Sequence, residues 1–542
     1  MEAVRVVSVA EMRAIEQEAN ARGVTYALMM QRAGEGVAKV IQRRYQEEGP
    51  RVALGLVGSG NNGGDTLVAL THLAQWGWRV GAYLVRPRPI EDPLVGELEA
   101  VGGVILQLAE DPAWEKLHQW LDQAHVLLDG IFGTGVKLPL RGEVAELLGG
   151  LKDRRSLPPV VAVDCPSGVD CDTGEVDEVT LPAEVTVCME AVKIGLLRFP
   201  AFEYVGELEI VPLGLPQDLQ AWQGTNLFVA EAGYCRSRLP ARPRQAHKGT
   251  FGTAMVVAGS VNYTGAVWLS AKAAYRIGAG LVRVALPGSL HPALAGHLPE
   301  ATWVLLPSEL GVIDRDAAEV VLESLERVTA LLLGPGWGTE ATTAEFLARL
   351  LGRSEEHLKR HPLGFVMPEK EVNAGKPTLP PCVVDADGLR LLAQLPEWWS
   401  ALPPLSVLTP HPGEMSVLTG LSVAEIQANR LEIARRFSAQ WGHVVVLKGA
   451  LTVVAAPDGQ AFIIPVANAA LARAGSGDVL AGLVVGLLAQ RVPPLDAAVL
   501  GAWVHGQAGL LAARQLGHAA SVLAGDILEQ VPEVLRLMSG RV

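Results

Sequence analysis

The segment "RVALGLVGSGNNGGDTLVALTHLAQW", residues 51–76, constrains the fold of this chain most strongly. It begins with an apolar run rich in Val and Leu, typical of a buried strand, and ends with a helical repeat of apolar residues. Between the two, Gly58, Gly60 and Gly63 have the spacing G-x-G-x-x-G. Such a turn lets the backbone approach a pyrophosphate at a helix N-terminus. The segment therefore predicts a Rossmann-like nucleotide-binding domain, in which the nucleotide is either a redox cofactor or a substrate.

Strand-like runs alternate with amphipathic helices along the first part of the chain, which predicts a parallel sheet covered on both faces, a three-layer α/β/α sandwich. The predicted strands are Val52–Val57, Val80–Val85, Val126–Asp129, Val160–Asp164 and Val185–Met189, with helices around Leu94–Val101 and Trp114–Gln123. Proline and glycine interrupt this pattern near Leu213–Gly224. A second α/β series follows, with predicted strands at Thr253–Ala258, Leu281–Ala285, Leu331–Leu333, Val383–Asp385 and Val444–Leu447. We expect two α/β domains, residues 1–218 and 226–542, with a charged surface insertion at residues 352–381.

Composition narrows the class of protein. A chain of 542 residues with 49% hydrophobic and 19% charged residues is expected to be globular with more than one core. The net charge of −13 argues against nucleic-acid binding, and the five cysteines show neither C-x-x-C pairing nor metal-ligand spacing. We find no signal-peptide core and no apolar run of the about 20 residues that a bilayer span needs. We therefore expect a cytoplasmic protein without membrane or nucleic-acid partners.

A redox role for the nucleotide fits the sequence poorly. A dehydrogenase fold places Asp or Glu after its second strand to bind a ribose hydroxyl, whereas this strand is followed by Arg86 and Arg88. Arginines at this position suit either contact with the 2′-phosphate of a bound nucleotide or simple exposure to solvent. The glycine loop also contains Asn61, Asn62 and Asp65, which a redox fingerprint does not need.

Two later strand ends strengthen the case for a site. Asp129 is followed by Gly133 and Gly135, and Asp164 is followed by Ser167. A single aspartate after a strand is commonly a turn or cap residue. Because ligands bind outside the carboxyl ends of parallel strands, three polar, glycine-bearing loops together predict a binding site.

The segments "NNGGD", "DGIFGTG", "VDCPSGVDCDTG" and "EMRAIEQEANARGVTYALMMQRAGE" closely resemble the NAD(P)H-hydrate epimerase domain over about residues 1–215. In that family the nucleotide is the substrate, NADH or NADPH to which water has added across a ring double bond. The resemblance implies that the hydrate is held by Asn61, Asn62, Gly63, Gly64, Asp65, Gly133, Thr134, Gly135, Val136, Lys137, Leu138 and Pro139, with Asp164 beside the reacting ring. It also implies a potassium ion near Asn62, Asp129 and Ser167, whose oxygens suit a hard cation.

A carboxylate can perform this epimerisation. The hydrate carries a hydroxyl next to the ring nitrogen, so an aspartate can protonate the departing hydroxyl and deprotonate the water that returns on the other face. Asp164 is the candidate by position and resemblance, although spacing alone does not distinguish it from Asp129. The family usually reads "NNGGDG", and this chain has Thr66 at the last position. Threonine would be strained there if the position required a positive φ, but not in a first helical turn.

The segment "LARAGSGDVLAGLVVGLL", residues 471–488, predicts a phosphate site in the second domain. Backbone N–H groups at a glycine-rich helix start bind anions, and Asp478 is placed to take a proton from a substrate hydroxyl. A helix simply capped by Ser or Asp is the alternative. Further motifs support a site: they contain Lys448, Gly449 and Thr452, His411 and Glu414, and Asp385 and Asp387.

Together "HKGTFGTAMVVAGSVNYTGA", "GPGWG", "DADGL", "TPHPGEM", "KGALT" and "AGSGD" resemble the NAD(P)H-hydrate dehydratase domain of the ribokinase-like superfamily, over about residues 226–535 outside the insertion. The resemblance implies that Ala266, Gly336, His411 and Asp478 face the hydrate. It implies that the adenine nucleotide contacts Lys448, Gly449, Ala450, Leu451, Thr452 and Gly477. It further implies ADP as phosphoryl donor, with magnesium.

The combined prediction is a bifunctional repair enzyme, which we expect to be a homo-oligomer. The first domain interconverts the R and S hydrates of NADH or NADPH (NADHX and NADPHX), and the second dehydrates the S form, converting ADP to AMP and phosphate, with Asp478 as base. Three alternatives remain open: a kinase for a vitamin precursor or sugar fused to a nucleotide sensor, a first domain that only binds ligand, and a redox dehydrogenase.

Overall fold

The computed structural model describes residues 3–45, 51–353 and 378–539, and the chain divides into two compact units. One unit is Val4–Leu227, and the other is Phe228–Val542 with Met1–Ala3. The α/β class predicted from the sequence is confirmed in both units. Most of the predicted surface insertion, residues 354–377, lies outside the described residues. None of the helices in the described segments is long and apolar enough to cross a bilayer.

The N-terminal unit is built on a parallel seven-stranded sheet, ordered β4-β3-β2-β5-β6-β7-β9. Strands β1 and β8 pair in parallel with each other. The strands are β1 (Val4–Val7), β2 (Val52–Val57), β3 (Arg79–Leu84), β4 (Val104–Gln107), β5 (Val126–Gly130), β6 (Val160–Val163), β7 (Val185–Met189), β8 (Val192–Lys193) and β9 (Glu207–Val211). The helices are α1 (Val9–Ala21), α2 (Tyr26–Arg44), α3 (Asn61–Gln75), α4 (Pro93–Ala100), α5 (Glu115–Leu121) and α6 (Glu143–Lys152).

Both faces of this sheet are buried, as its apolar strands predict. Side chains that alternate along β2 enter different cores. Ala53 and Val57 belong to the core that includes α1, α2 and α3, whereas Leu54 and Leu56 belong to the core that includes α5 and α6. The unit is therefore a three-layer α/β/α sandwich, with its loops collected at the carboxyl ends of the strands.

Most predicted strand bounds in this unit agree with the structure to within one residue, and Val52–Val57 and Val185–Met189 agree at both ends. The strand predicted to end at Asp164 ends at Val163 instead, because Asp164 has a φ of 65° and leaves the extended conformation. The left-handed conformation is uncommon for a residue other than glycine. The two edge strands of this sheet, β4 and β9, were not predicted from the sequence.

The C-terminal unit contains a sheet in which nine strands follow the order β13-β12-β11-β16-β17-β18-β19-β20-β21. The strands from Leu227 onward are β10 (Leu227–Val229), β11 (Thr253–Val257), β12 (Leu281–Pro287), β13 (Thr302–Leu306), β14 (Ser308–Glu309), β15 (Val312–Ile313), β16 (Ala330–Leu333), β17 (Cys382–Val384), β18 (Val407–Leu408), β19 (Val444–Leu447), β20 (Val453–Ala455) and β21 (Ala461–Ile463). Pairing is parallel from β13 to β19 and antiparallel from β19 to β21.

The helices of this unit are α7 (Ala232–Arg238), α8 (Thr264–Arg276), α9 (His291–Leu294), α10 (Ala317–Glu323), α11 (Ala341–Leu350), α12 (Asp387–Leu392), α13 (Pro412–Thr419), α14 (Val423–Ala428), α15 (Arg430–Trp441), α16 (Ser476–Ala489), α17 (Pro494–Leu516) and α18 (Ala524–Ser539). Helix α16 is buried on nearly all sides. Its glycines permit this, because a Cβ at Gly482 would lie 2.3 Å from the carbonyl oxygen of Ser270 on α8. Close packing on α8 fixes the start of α16, where the predicted phosphate site lies.

Candidate functional site

The glycine loop after β2 has the geometry that its sequence predicts. A Cβ at Gly58 would lie 2.0 Å from the carbonyl oxygen of Ile131, and a Cβ at Gly63 would lie 2.0 Å from that of Gly58. Gly60, in contrast, faces open space and is the N-cap of α3, where no side chain caps the helix. The first N–H groups of α3 therefore remain available to an anionic ligand.

The two arginines after β3 have different environments. Arg88 donates from Nη1 to the carbonyl oxygen of Gly58 at 2.7 Å and from Nε to Oδ2 of Asp92, also at 2.7 Å. Arg86 is exposed, and its guanidinium lies 5.6 Å from the ring centroid of Phe132. Arg88 thus stabilises the glycine loop, whereas Arg86 faces the space above it.

A cavity of about 1080 Å³ opens at the carboxyl ends of these strands. Eight of the predicted substrate residues line it: Asn61, Asn62, Asp65, Gly133, Thr134, Gly135, Val136 and Asp164. Gly63 and Gly64 are buried in the first turn of α3 and are not among the residues that line the cavity. Lys137, Leu138 and Pro139 continue the loop beyond the residues that line the cavity. Contact of all these residues with a hydrate remains a prediction.

Asp164 is held in the cavity by a lysine that sequence analysis missed. Its Oδ1 accepts hydrogen bonds from the Met189 amide at 3.2 Å and from the ammonium of Lys193, whose side chain is only 2% exposed. Burial lowers the pKa of Lys193, but Asp164 above all, with Cys188 and Cys171, raises it by more, so the net change is upward. Lys193 is therefore charged and orients Asp164. Its setting in the apolar segment "MEAVKIGLL" was the available signal for a buried lysine.

Two more carboxyl groups line the same cavity, and their proton affinity is high. Burial, the charge of Asp164 and the charge of Glu16 raise the pKa of Asp65 well above its ordinary value. Burial also raises the pKa of Glu16, although the nearby Lys193 opposes the change. The cavity thus holds two carboxyl groups that tend to stay protonated, and it also holds the Asp164–Lys193 ion pair. Such a combination can donate a proton at one point of a substrate and accept one at another.

Asn62, Asp129 and Ser167, the predicted potassium ligands, are linked by hydrogen bonds around Phe132. Asp129 accepts from the Ser167 amide at 2.8 Å and from the Ser167 hydroxyl at 2.5 Å, and Asn62 donates to the carbonyl oxygen of Phe132 at 2.9 Å. All three side chains are buried. Burial raises the pKa of Asp129. Within the described segments, no cationic side chain forms an ion pair with Asp129 that would oppose this effect. A buried carboxylate among neutral hard oxygens fits a monovalent cation.

Thr66 occupies an ordinary helical position. It lies within α3, is fully buried, and donates from its hydroxyl to the carbonyl oxygen of Asn62 at 2.8 Å. The strained alternative considered from the sequence does not apply, because Thr66 has no positive φ. Space for its side chain comes from Gly130, where a Cβ would lie 1.8 Å from the Thr66 hydroxyl.

In the C-terminal unit, motif residues follow the ends of four adjacent parallel strands. Gly336 follows β16, Asp385 follows β17, His411 follows β18 and Lys448 follows β19. The first turn of α16, with Asp478, lies against this edge, since a Cβ at Gly477 would be 3.4 Å from Nζ of Lys448.

The Lys448 ammonium is surrounded by carboxylates. It lies 2.6 Å from Oδ1 of Asp385 and 3.5 Å from Oε2 of Glu414, and Asp385 also accepts from the Thr409 hydroxyl at 2.7 Å. Burial lowers the pKa of Lys448, but Asp385 and Glu414 raise it further, so the ammonium stays charged. The Lys448 side chain therefore positions acidic groups and does not extend into solvent.

Asp478 has the proton affinity of a general base that works near neutrality. Burial and the negative charge of Asp385 raise its pKa to about 7, against the opposing effect of Lys448. It lies in the first turn of α16, whose N-cap, Gly475, has a φ of 87° and makes no side-chain cap. The helix start therefore offers free N–H groups next to a carboxyl group that can exchange a proton near neutral pH.

His411 has a structural function that its motif did not reveal. Its Nδ1 accepts from the Gly413 amide at 2.9 Å, and the Glu414 carboxylate accepts from the His411 amide at 2.8 Å, so the pair caps α13. Burial lowers the pKa of His411, which keeps Nδ1 available as an acceptor. Nearly half of the side chain, 47%, remains exposed, so contact with substrate is compatible with capping.

The remaining predicted residues lie around the same edge. A Cβ at Gly336, which has a φ of 67°, would lie 2.9 Å from the Cβ of Ala266 at the start of α8. Gly449, Ala450, Leu451 and Thr452 form the turn between β19 and β20, closed by a hydrogen bond of 2.8 Å from the Thr452 hydroxyl to the Gly449 carbonyl oxygen. The structure thus brings the motif residues together; their contacts with ligand remain predictions.

Comparison with known proteins assigns each unit to a family. Residues 27–195 match the YjeF-related protein N-terminus family, and residues 254–533 match the NAD(P)H-hydrate dehydratase family. The chain is 38% identical over 538 residues to a bifunctional NAD(P)H-hydrate repair enzyme from Moorella thermoacetica, covering 98% of this chain and 96% of the relative. A homologue of the same name from Thermofilum pendens is 34% identical, covering 99% and 97%.

Among solved structures, an ADP/ATP-dependent NAD(P)H-hydrate dehydratase from Bacillus subtilis, crystallised with ATP and Mg²⁺, is similar to 57% of this chain, with 28% identity and a TM-score of 0.45. That similarity covers 98% of the Bacillus protein. The two family matches and the near full-length relatives agree with each other. The chain belongs to the family of bifunctional NAD(P)H-hydrate repair enzymes.

Proposed function

We propose that the N-terminal unit, residues 1–218, interconverts the R and S hydrates of NADH and NADPH, with Asp164 as its catalytic residue. The observation that carries this proposal is the Asp164–Lys193 ion pair in a cavity that also holds Asp65, a carboxyl group with a raised pKa. The uncapped start of α3 supplies N–H groups for the pyrophosphate.

The ring nitrogen of the hydrate expels the neighbouring hydroxyl as water once that hydroxyl is protonated. Asp65, which tends to keep its proton, is suited to donate it. Water then adds to the other face of the resulting iminium, and Asp164, held by Lys193, accepts the proton that the water loses. The net change is inversion at one carbon, with no gain or loss of atoms.

Asn62, Asp129 and Ser167 would hold a potassium ion, which would supply a counter-charge to the buried Asp129 carboxylate. Ser167 also accepts from the Phe132 amide at 3.0 Å, so the same residues fix the loop that begins at Gly133. Their function in this proposal is to shape the cavity wall.

The C-terminal unit, residues 226–542, is proposed to dehydrate the S hydrate at the expense of ADP. Asp478 removes the proton from the ring hydroxyl as that oxygen attacks the β-phosphorus of ADP, and AMP leaves. The ring nitrogen then expels phosphate and the ring loses a proton, which regenerates NADH or NADPH. Phosphorylation converts a poor leaving group into a good one.

The residues around Asp478 support this chemistry. The start of α16 has no side-chain cap, so its N–H groups are available to stabilise developing phosphate charge, and Gly477 lies beside Lys448. The carboxylates of Asp385, Asp387 and Glu414 all act on Asp478 and give this edge of the sheet a negative charge, which suits a magnesium ion bound with the donor. Magnesium would neutralise the charge of the donor phosphates.

Two assays test the two activities separately. Pure S hydrate incubated without ADP is expected to yield the R hydrate by chiral chromatography, and Asp164→Asn is expected to abolish this. An unchanged rate in that variant would mean that the N-terminal unit does not use Asp164, or only binds ligand.

S hydrate incubated with ADP and magnesium is expected to give one AMP and one phosphate for each reduced nicotinamide recovered. A stable phosphorylated product without recovered nicotinamide absorbance would instead indicate a small-molecule kinase. Replacement of ADP by ATP in the same assay tests the donor, and omission of potassium from the first assay tests the proposed ion.

A further inference from the structure

The cavity of the N-terminal unit contains an arginine that the proposed epimerisation does not use. Arg86 lies two residues after the end of β3, lines the cavity, and places its guanidinium over the ring of Phe132. Phe132 itself belongs to the loop that closes the cavity beside Gly133. Stacking on an aromatic ring holds a guanidinium in place while its N–H groups stay free for an anion.

Arg86 differs from Arg88, two residues on, in having no anionic partner among the residues that the structure describes. Arg88 pairs with Asp92 and donates to the glycine loop. For Arg86, no carboxylate within residues 3–45, 51–353 and 378–539 lies within 4.0 Å. Glu97, the other acidic residue at this end of the cavity, is exposed and does not pair with Arg86. A guanidinium that is oriented but unpaired favours a phosphate ligand, which it can bind through two hydrogen bonds.

The order of strands indicates which part of a dinucleotide reaches Arg86. The pyrophosphate loop follows β2, and Asp164, beside the reacting ring, follows β6 on one side of it. Strand β3, which leads to Arg86, lies on the other side of β2. The adenosine half of the hydrate therefore extends toward Arg86. At this position an acidic side chain would bind the 2′-hydroxyl of the adenosine ribose, whereas an arginine accommodates a 2′-phosphate.

We propose that Arg86 binds the 2′-phosphate of NADPH hydrate, so that the N-terminal unit prefers this hydrate to that of NADH. The inference rests on the proposed epimerase function, whose substrate it specifies. Arg86 is then a specificity-determining residue, and the chemistry at the ring does not depend on it.

A second arginine in the cavity makes the proposal testable against the opposite orientation of the substrate. Arg13, on α1, also lines the cavity, and its charge acts on Glu16, at the end where Asp164 and Lys193 lie. If the dinucleotide were bound in reverse, Arg13 would be the arginine near the 2′-phosphate.

The experiment compares the full-length chain with Arg86→Gln, Arg13→Gln and Arg155→Gln, the last an exposed arginine that does not line the cavity. Epimerisation of purified NADPH hydrate and NADH hydrate is measured separately, and the ratio of the two kcat/KM values is the readout. For Arg86→Gln we expect that ratio to fall about 10- to 100-fold through a higher KM for NADPH hydrate, with NADH hydrate changed by less than about twofold. Arg13→Gln and Arg155→Gln are expected to keep the ratio of the unmodified enzyme.

An unchanged ratio in Arg86→Gln, or a fall in Arg13→Gln instead, would overturn the proposal while leaving the epimerase function intact. If the unmodified enzyme epimerises neither hydrate, the proposed function itself fails. The two failures are thereby distinguished within one set of assays.

Discussion

The raised proton affinity of Asp478 predicts how the dehydratase should respond to pH. With a pKa of about 7, Asp478 is about 9% ionised near pH 6 and about 91% ionised near pH 8. Because only the ionised form can act as base, kcat/KM for S hydrate should rise about tenfold between these values. A carboxylate with the ordinary pKa of 3.8 would be fully ionised throughout, and the profile would be flat.

The variant Asp387→Asn tests the cause of this shift. It removes one of the negative charges that raise the pKa of Asp478, yet its amide oxygen can still accept the Gly338 amide, which Asp387 binds at 2.9 Å. The rise in kcat/KM should therefore move to lower pH, and the ratio between about pH 8 and about pH 6 should fall below tenfold. Asp458→Asn, in the turn between β20 and β21, is the matched control and should leave the profile unchanged.

The same shift predicts an effect on stability. Asp478 binds its proton more tightly in the folded state, so its contribution to stability is present at low pH and is lost as pH rises through about 7. Near pH 8, Asp478→Asn should therefore stabilise the C-terminal unit against urea by about 1–2 kcal/mol, less than the full shift implies because the side chain is partly exposed. A flat pH profile in the unmodified enzyme, together with no gain in stability for this variant, would show that the pKa of Asp478 is not raised.

Three further predictions concern the N-terminal unit and are read from urea unfolding. Lys193→Met should lower the free energy of unfolding by about 3 kcal/mol, because it leaves Asp164 unpaired. The double variant Lys193→Met with Asp164→Asn should recover much of this loss. Equal losses in the single and double variants would contradict the ion pair. Gly63→Ala should lower the free energy of unfolding by about 1–3 kcal/mol, because the new Cβ would meet the carbonyl oxygen of Gly58. Gly60→Ala should change it by less than about 0.5 kcal/mol, because Gly60 faces open space. Similar losses in the two variants would show that Gly63 does not lie against the Gly58 carbonyl oxygen. Thr66→Gly should lower the free energy of unfolding by about 1–2 kcal/mol, because helix propensity is lost and a space beside Gly130 of β5 is left unfilled. An unchanged free energy of unfolding would contradict the packing of Thr66 against Gly130.

The fold and the location of both sites could be read from local sequence signals. Glycine-rich helix starts, such as those of α3 and α16, are local features, so the location of Asp478 could be predicted from its own segment. Parallel strands carry their loops to one edge of a sheet, so the location of Asp164 followed from the order of elements. Strands such as β2 were predictable because burial on both faces requires a continuous apolar run. Edge strands such as β4 lack that signal because one side is solvated.

Interactions between distant segments were not predictable in this way. Lys193 pairs with Asp164 across 29 positions of sequence, and no local pattern specifies such a partner. Likewise, the pKa of Asp478 depends on carboxylates from two other segments, which contain Asp385 and Glu414. The family resemblance indicated which residues are important, and the structure supplies the contacts among them.

The most direct test of the account is recovery of reduced nicotinamide from an equal mixture of R and S hydrates with ADP and magnesium. The unmodified enzyme should restore both epimers completely. Asp164→Asn should restore the S portion at the normal rate and then stop, whereas Asp478→Asn should restore nothing although it still interconverts the epimers. Recovery of reduced nicotinamide by Asp478→Asn, or complete recovery at an undiminished rate by Asp164→Asn, would contradict the assignment of one step to each unit.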